Sequence, residues 1–108
     1  MFEGFLKMKN ISKVLLVISM LSAQNIFAAD AAAGKSLYAK CVACHGQNGE
    51  GNPSQKAPRI AGQHDWYIYS SLVAFKKGER KNPTMLPFIK NLSDKDYQDL
   101  AAYVSQMK

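Results

Sequence analysis

The sequence predicts an all-α protein in which three main helices are separated by long loops. Apolar residues recur at helical spacing in three places: Leu37, Tyr38 and Cys41; Tyr69, Leu72, Val73 and Phe75; and Tyr97, Leu100, Ala101, Tyr103 and Val104. No segment alternates apolar and polar residues as a half-buried strand does, and no internal repeat is visible. Residues 46–62 carry Gly46, Gly49, Gly51, Pro53, Pro58 and Gly62, which describes a loop of a length unusual in so small a domain.

The chain opens on a basic stretch, Lys7, Lys9 and Lys13, followed by an apolar run from Val14 to Leu21 and then by small residues, Ala28-Ala29-Asp30-Ala31. A positive segment, a short apolar segment and a small-residue exit describe a secretory signal peptide. The run is too short to cross a bilayer, which takes ~20 apolar residues. The expected division is a signal peptide over residues 1–28 and one folded domain over 29–108, with Ala29-Asp30-Ala31 as an alternative cleavage site and Met8 as an alternative start. An uncleaved membrane tether is the alternative to export.

Each remaining element has its own signal. Ala31 to Cys44 is rich in helix formers. Asp65 to Lys77 has Asp65 as its expected N-cap and Gly78 as its stop. Ser93-Asp94-Lys95-Asp96 places an acid three residues after a capping serine, opening a helix that runs to about Gln106. Between the last two lies a polar turn closed by Pro83, Met85 and Pro87.

Hydrophobic residues make up 47% of the 108 and charged residues 20%, the balance of a globular chain. Removing residues 1–28 takes away three lysines and Glu3, leaving eleven basic and seven acidic residues. The basic residues are interspersed with acids and no base-stacking motif accompanies them, so nucleic acid is not the expected partner. A cationic exported protein is better matched to an acidic protein patch or a membrane surface. No hydrolytic triad, phosphate loop or paired-carboxylate site is present, and a small-molecule substrate is not expected. A domain of ~80 residues or fewer rarely builds a sufficient core without a staple, so something besides side chains should fill this one.

Cys41-Val42-Ala43-Cys44-His45 supplies that staple. The Cys-x-x-Cys-His spacing is the attachment signature of c-type haem. Two thiols three residues apart add across the two vinyl groups of one porphyrin, and the adjacent imidazole lies under the iron. A thioredoxin-like dithiol would need a βαβ setting that is missing. A structural zinc site takes four Cys/His ligands, and the only ones here are Cys41, Cys44, His45 and His64. A disulfide closing so short a loop would stabilise little. Haem also accounts for the long loops, as a wrapping around it.

A low-spin electron carrier needs a sixth iron ligand. Met85 stands in the Pro-bracketed loop Asn82-Pro83-Thr84-Met85-Leu86-Pro87; Met107 is beside the C-terminus; His64 would give a bis-histidine iron. A lone Met otherwise fills gaps in a core. Met85 is the ligand its position favours, and Met/His ligation would raise the reduction potential.

From Ala31 to Ser105 the chain resembles the small bacterial class I cytochromes c, of the periplasmic c-553 and c-5 type, and one half of a dihaem cytochrome. The resemblance is carried by Ala33-Gly34-Lys35 with Tyr38, by Cys41 to Gly46, by Ala57-Pro58-Arg59-Ile60-Ala61-Gly62-Gln63, by Asn82-Pro83-Thr84-Met85, and by Leu92-Ser93-Asp94 leading to Leu100-Ala101-Ala102-Tyr103. It implies the cytochrome c fold around one covalent haem c, with Cys41 and Cys44 as its thioethers and His45 and Met85 as the axial ligands. It also implies that the Pro58 carbonyl accepts the His45 ring N–H. Gly34 and Tyr38 match the face of the first helix that crosses the last near Leu100 and Tyr103. Tyr67, Leu72 and Phe75 are expected to pack around the haem, and Trp66 to lie at its rim or in the core. The span from Gly78 to Met85 is shorter than in many relatives.

The implied function is single-electron transfer in the periplasm between respiratory donor and acceptor proteins, not catalysis. The edge near Val42, Ala43 and the Met85 loop would be the exchange point. Lys76, Lys77, Arg80 and Lys81 would steer acidic redox partners, unless they only complement a helix end. The alternatives are a haem subunit docked to a dehydrogenase or oxidase complex, and a haem enzyme or gas sensor with a labile sixth ligand.

Overall fold

Three helices carry the fold, and the order in which they touch follows from where their apolar faces lie. The computed structural model describes residues 28–108; the expected signal peptide lies almost wholly outside the described residues. Helix α1 spans Ala31–Leu37, α2 Val42–His45, α3 Asp65–Lys77, α4 Leu86–Ile89 and α5 Asp94–Ser105, with single 3₁₀ turns at Tyr38–Lys40 and Pro53–Gln55. Among the described residues no strand forms; one isolated bridge pairs Asn52 with Ala57. Helix α5 packs on both α1 and α3, so it is the spine of the domain.

The caps follow the sequence signals in two of three cases. Ser93 accepts the Asp96 N–H at 3.1 Å while Asp96 accepts the Ser93 N–H at 2.9 Å, a reciprocal capping box that starts α5. Gly78 ends α3 with φ +77°, a conformation an L side chain resists. At the start of α3, however, the N-cap is His64, not Asp65; Asp65 is the first helical residue and its carboxylate accepts the Trp66 N–H at 2.7 Å. The acid is still at the positive helix end, one position later than expected.

The first helix also differs from expectation. It does not run unbroken from Ala31 to Cys44. A 3₁₀ turn intervenes, closed by the Cys41 N–H on the Tyr38 carbonyl at 2.8 Å, and α2 restarts with the His45 N–H on the Cys41 carbonyl at 2.8 Å. The tightening changes the angular spacing of side chains, so the Cys-x-x-Cys-His segment takes an orientation of its own.

Where α1 crosses α5, Gly34 is buried against the α5 backbone: a Cβ there would stand 2.6 Å from the Asp99 carbonyl carbon and 2.9 Å from the Tyr103 Cβ. The Tyr38 and Tyr103 rings meet nearby, centroids 5.6 Å apart and tilted by 55°. The buried core is Tyr38, Ile68, Leu72, Ile89, Tyr97, Leu100, Ala101 and Val104. Tyr97 anchors α4 to α5 by donating its hydroxyl to the Ile89 carbonyl at 2.6 Å.

Candidate haem site

The core is open on one side. Six of its residues, Tyr38, Ile68, Leu72, Ile89, Leu100 and Val104, also line a cleft between α3, α4 and the loop after α2. The cleft has two lobes of about 260 Å³ each, and Cys41, His45, Pro58, Asn82, Met85 and Ile89 line both. Cys44 lines the second lobe, with Lys40, Lys56 and Phe88 around it. Tyr67, Leu72 and Phe75 all line the first, in keeping with what the resemblance implied.

The Cys-x-x-Cys-His segment reaches the cleft because α2 is one short turn following the 3₁₀ bend. Cys41 and Cys44 form no disulfide with each other and are both half-buried. Burial pushes the Cys41 thiol above its ordinary value, and the neighbouring Cys44 adds to this. His45 is 6% exposed, and its Nδ1 lies 2.9 Å from the Pro58 carbonyl oxygen. A carbonyl only accepts, so the proton sits on Nδ1 and the Nε2 lone pair is left for a metal. Tyr38 holds the end of this segment by donating its hydroxyl to the Gly46 carbonyl at 2.5 Å. Burial, with the Glu50 charge adding to it, pushes the Tyr38 phenol up to about 12, so it stays a donor.

Met85 is placed by the turn before α4. The Asn82 side-chain oxygen accepts the Met85 N–H at 3.1 Å, and the Asn82 carbonyl accepts the Leu86 N–H at 3.1 Å. Pro87 sits in the first turn of α4, where its missing N–H costs nothing. The short span from Gly78 thus still delivers Met85 to the same cleft as His45.

Other residues went elsewhere. His64 is stacked on Trp66, ring centroids 5.5 Å apart, outside the cleft lining. Trp66 is 65% exposed, a surface residue and not a core one. Met107 packs against Gly49 and the edge of the core. Arg80, one of the four basic residues expected to steer partners, is exposed, donates to Ser71 on α3 and also lines the first lobe. Sequence reasoning gave no role to Asp99. It is 2% exposed and accepts the Asp30 N–H at 2.8 Å and the Lys95 ammonium at 2.9 Å, tying the start of α1 to α5. The Lys95 hydrogen bond, then the Asp30 N–H, hold its carboxyl below the usual range. Its spacing from Lys95 is readable on a helix; its bond to a residue sixty-nine positions away is not.

The residues present fit a haem: apolar walls, two unbridged cysteines on one cleft, an imidazole turned by a carbonyl, and a thioether on the same cleft. Among the described residues no group of three or more His, Cys, Asp and Glu side chains forms an alternative metal site.

Comparisons with known proteins agree. Residues 31–108 match the family model described as cytochrome c. The chain is 42% identical over 84 residues to cytochrome c-554(548) of Halomonas halodenitrificans, covering 75% of this chain and all of that one. It is 34% identical over 96 residues to cytochrome c-553 of Helicobacter pylori, covering 89% of this chain and 98% of the relative. The solved structure of reduced cytochrome c4 from Pseudomonas stutzeri superposes with a TM-score of 0.68 at 29% identity. That match covers 78% of this chain but 53% of the c4 chain, so this protein spans about half its length. The chain therefore belongs to the cytochrome c family, and it is an electron-carrying c-type cytochrome whose cofactor is covalently bound haem c.

Proposed function

We propose that the protein is a periplasmic single-electron shuttle, with one haem joined through Cys41 and Cys44 and its iron held between His45 Nε2 and the Met85 thioether. The observation that carries this reading is the pairing of two facts: Pro58 leaves Nε2 of His45 available, and His45 and Met85 line the same cleft. Haem supplies the iron that alternates between ferrous and ferric.

The chain's own residues do the rest. Pro58 fixes the ring of His45 and, by accepting its Nδ1 proton, raises its basicity as a ligand. Asn82 and the two flanking prolines restrain the Met85 turn, so little has to reorganise when the charge on the site changes. Ile68, Leu72, Ile89 and Leu100 keep water from the inner walls, which favours the less charged ferrous state. Cys41 and Cys44 would hold the haem as two thioethers, each thiol supplying both the sulfur and the hydrogen of the addition, so attachment would consume no oxidant. The second lobe, with Lys40, Lys56 and exposed Phe88 at its edge, is the face for redox partners with acidic docking surfaces. No helix among the described residues is long and apolar enough to cross a membrane.

The ferric spectrum of the exported protein tests the reading. A Met-to-iron charge-transfer band in the far red is expected; a high-spin ferric spectrum without it would favour an enzyme or sensor with an open sixth position.

A further inference from the structure

His45 is held at two points, and both belong to one short segment that follows it. Its ring Nδ1 meets the Pro58 carbonyl at 2.9 Å, and its own backbone carbonyl accepts the Gly51 N–H at 2.7 Å. Between these two points the chain turns back on itself. The Asn52 N–H donates to the Ala57 carbonyl at 2.8 Å and the Ala57 N–H to the Asn52 carbonyl at 3.1 Å. Inside the turn the Asn52 side chain accepts the Ser54 N–H at 3.1 Å. Gly51 and Pro58 are therefore brought face to face, immediately outside that bridge.

The contact between them is backbone on backbone. Gly51 has φ +84°, and a Cβ there would stand 2.6 Å from the Arg59 nitrogen, 2.7 Å from the Pro58 carbonyl carbon and 2.8 Å from the Ala57 oxygen. None of these atoms is the flexible end of a side chain, so an added methyl group has to push the segment away. The Pro58 carbonyl carbon carries the oxygen that meets the His45 ring, so displacing one displaces the other. A hydrogen bond that lengthens and bends is weakened. A weaker bond on Nδ1 makes the imidazole a less basic ligand at Nε2, which disfavours the ferric state.

We propose that Gly51 is a positioning residue for electron transfer: its missing side chain lets the Pro58 carbonyl seat against the His45 ring, and so helps to set the reduction potential. Gly51 does this without lining the cleft itself. This inference rests on the ligation by His45 proposed above. Gly62 supplies the comparison that separates positioning from general backbone strain. Its φ is +72°, and a Cβ there would stand 3.1 Å from the Met107 carbonyl oxygen with no atom of residues 57–59 within 4 Å. Alanine is therefore strained at both glycines, but it displaces the Pro58 carbonyl only from position 51.

The test is the Gly51→Ala holoprotein, followed by redox titration and by proton–nitrogen NMR of the His45 Nδ1–H in the diamagnetic ferrous state. The reduction equilibrium constant is expected to rise roughly two- to fivefold, tenfold being ~59 mV for one electron. The Nδ1 proton is expected to move upfield and to exchange faster with solvent. Gly62→Ala should lower the Tm and leave the potential and the Nδ1 resonance in place. Should Gly51→Ala not assemble, Asn52→Ala, which releases Ser54 and slackens the turn between Gly51 and Pro58, should shift both readouts in the same direction by a smaller amount. An unchanged potential and unchanged resonance in the variant that assembles, or an equal shift in Gly62→Ala, would overturn the Gly51 assignment alone. A high-spin spectrum with no protected Nδ1–H in the unsubstituted ferrous protein would instead overturn the axial-ligand reading.

Discussion

Gly34→Ala separates two physical arguments that predict opposite signs. Gly34 lies inside α1, where alanine is the better helix former by ~1 kcal/mol, so propensity alone predicts a more stable protein. Packing predicts the reverse. The added Cβ would stand 2.6 Å from the Asp99 carbonyl carbon, closer still to the Asp99 carbonyl oxygen, and 2.9 Å from the Tyr103 Cβ. Relaxed carbon contacts are ~3.5–4.0 Å, so α1 and α5 must part by roughly 1 Å. The obstacle is helix backbone and not the flexible end of a side chain. Separation also stretches the Asp30 N–H bond to Asp99 and the contact of Tyr38 with Tyr103. Overpacking of this kind costs ~3 kcal/mol at the upper end of its usual range, leaving about 2 kcal/mol net after the propensity gain. For a domain of this size that corresponds to a Tm lower by about 8–16 °C. Thermal unfolding of the holoprotein, followed by the Soret band and by far-ultraviolet circular dichroism, measures it. A Tm equal to or above that of the unsubstituted protein would refute the close-crossing argument.

The other predictions concern a carboxylate, a hydroxyl and an iron ligand. Asp99→Ala removes the acceptor of the Asp30 N–H and of Lys95, and should destabilise the holoprotein by ~1–3 kcal/mol at neutral pH. Because the folded carboxyl is held below its ordinary value of 3.8, its contribution is full above that value and is lost as pH falls through the lowered one. The gap between Asp99→Asn and the unsubstituted protein in urea titrations should therefore close in acid; a pH-independent gap would exclude the ion pair as its source. Tyr97→Phe removes one of two donors to the Ile89 carbonyl, which keeps the Leu92 N–H, and should cost ~1 kcal/mol in the same assay. Met85→Ala should abolish the far-red band, lower the reduction potential and let the ferrous form bind carbon monoxide; an unaltered spectrum would transfer the sixth ligand elsewhere.

How much was legible in the sequence depended on whether a signal is local. The Cys41–His45 segment, the capping box at Ser93 and the stop at Gly78 are short-range chemistry, and the structure holds each where the residues put it. The place of Met85 on the cleft was legible for a related reason: prolines on both sides restrict what its loop can do. The 3₁₀ break before Cys41 was not, because Tyr38 to Lys40 are unremarkable in a helix. The role of Asp99 was not legible either, because a charged residue reads as solvated unless its partner is nearby in the chain, and the amide of Asp30 is not. Trp66 shows the converse, an aromatic residue at helical spacing that the fold leaves 65% exposed, beside a histidine.

The central claim is a single haem fixed through Cys41 and Cys44 and ligated by His45 and Met85. The most direct measurement is intact mass together with ferric and ferrous spectra of the protein exported alongside haem-attachment machinery. The account predicts a mass raised by one haem that acid-acetone cannot extract, and a low-spin ferric spectrum with the Met-to-iron band. Extractable haem, or a high-spin ferric spectrum, would contradict it.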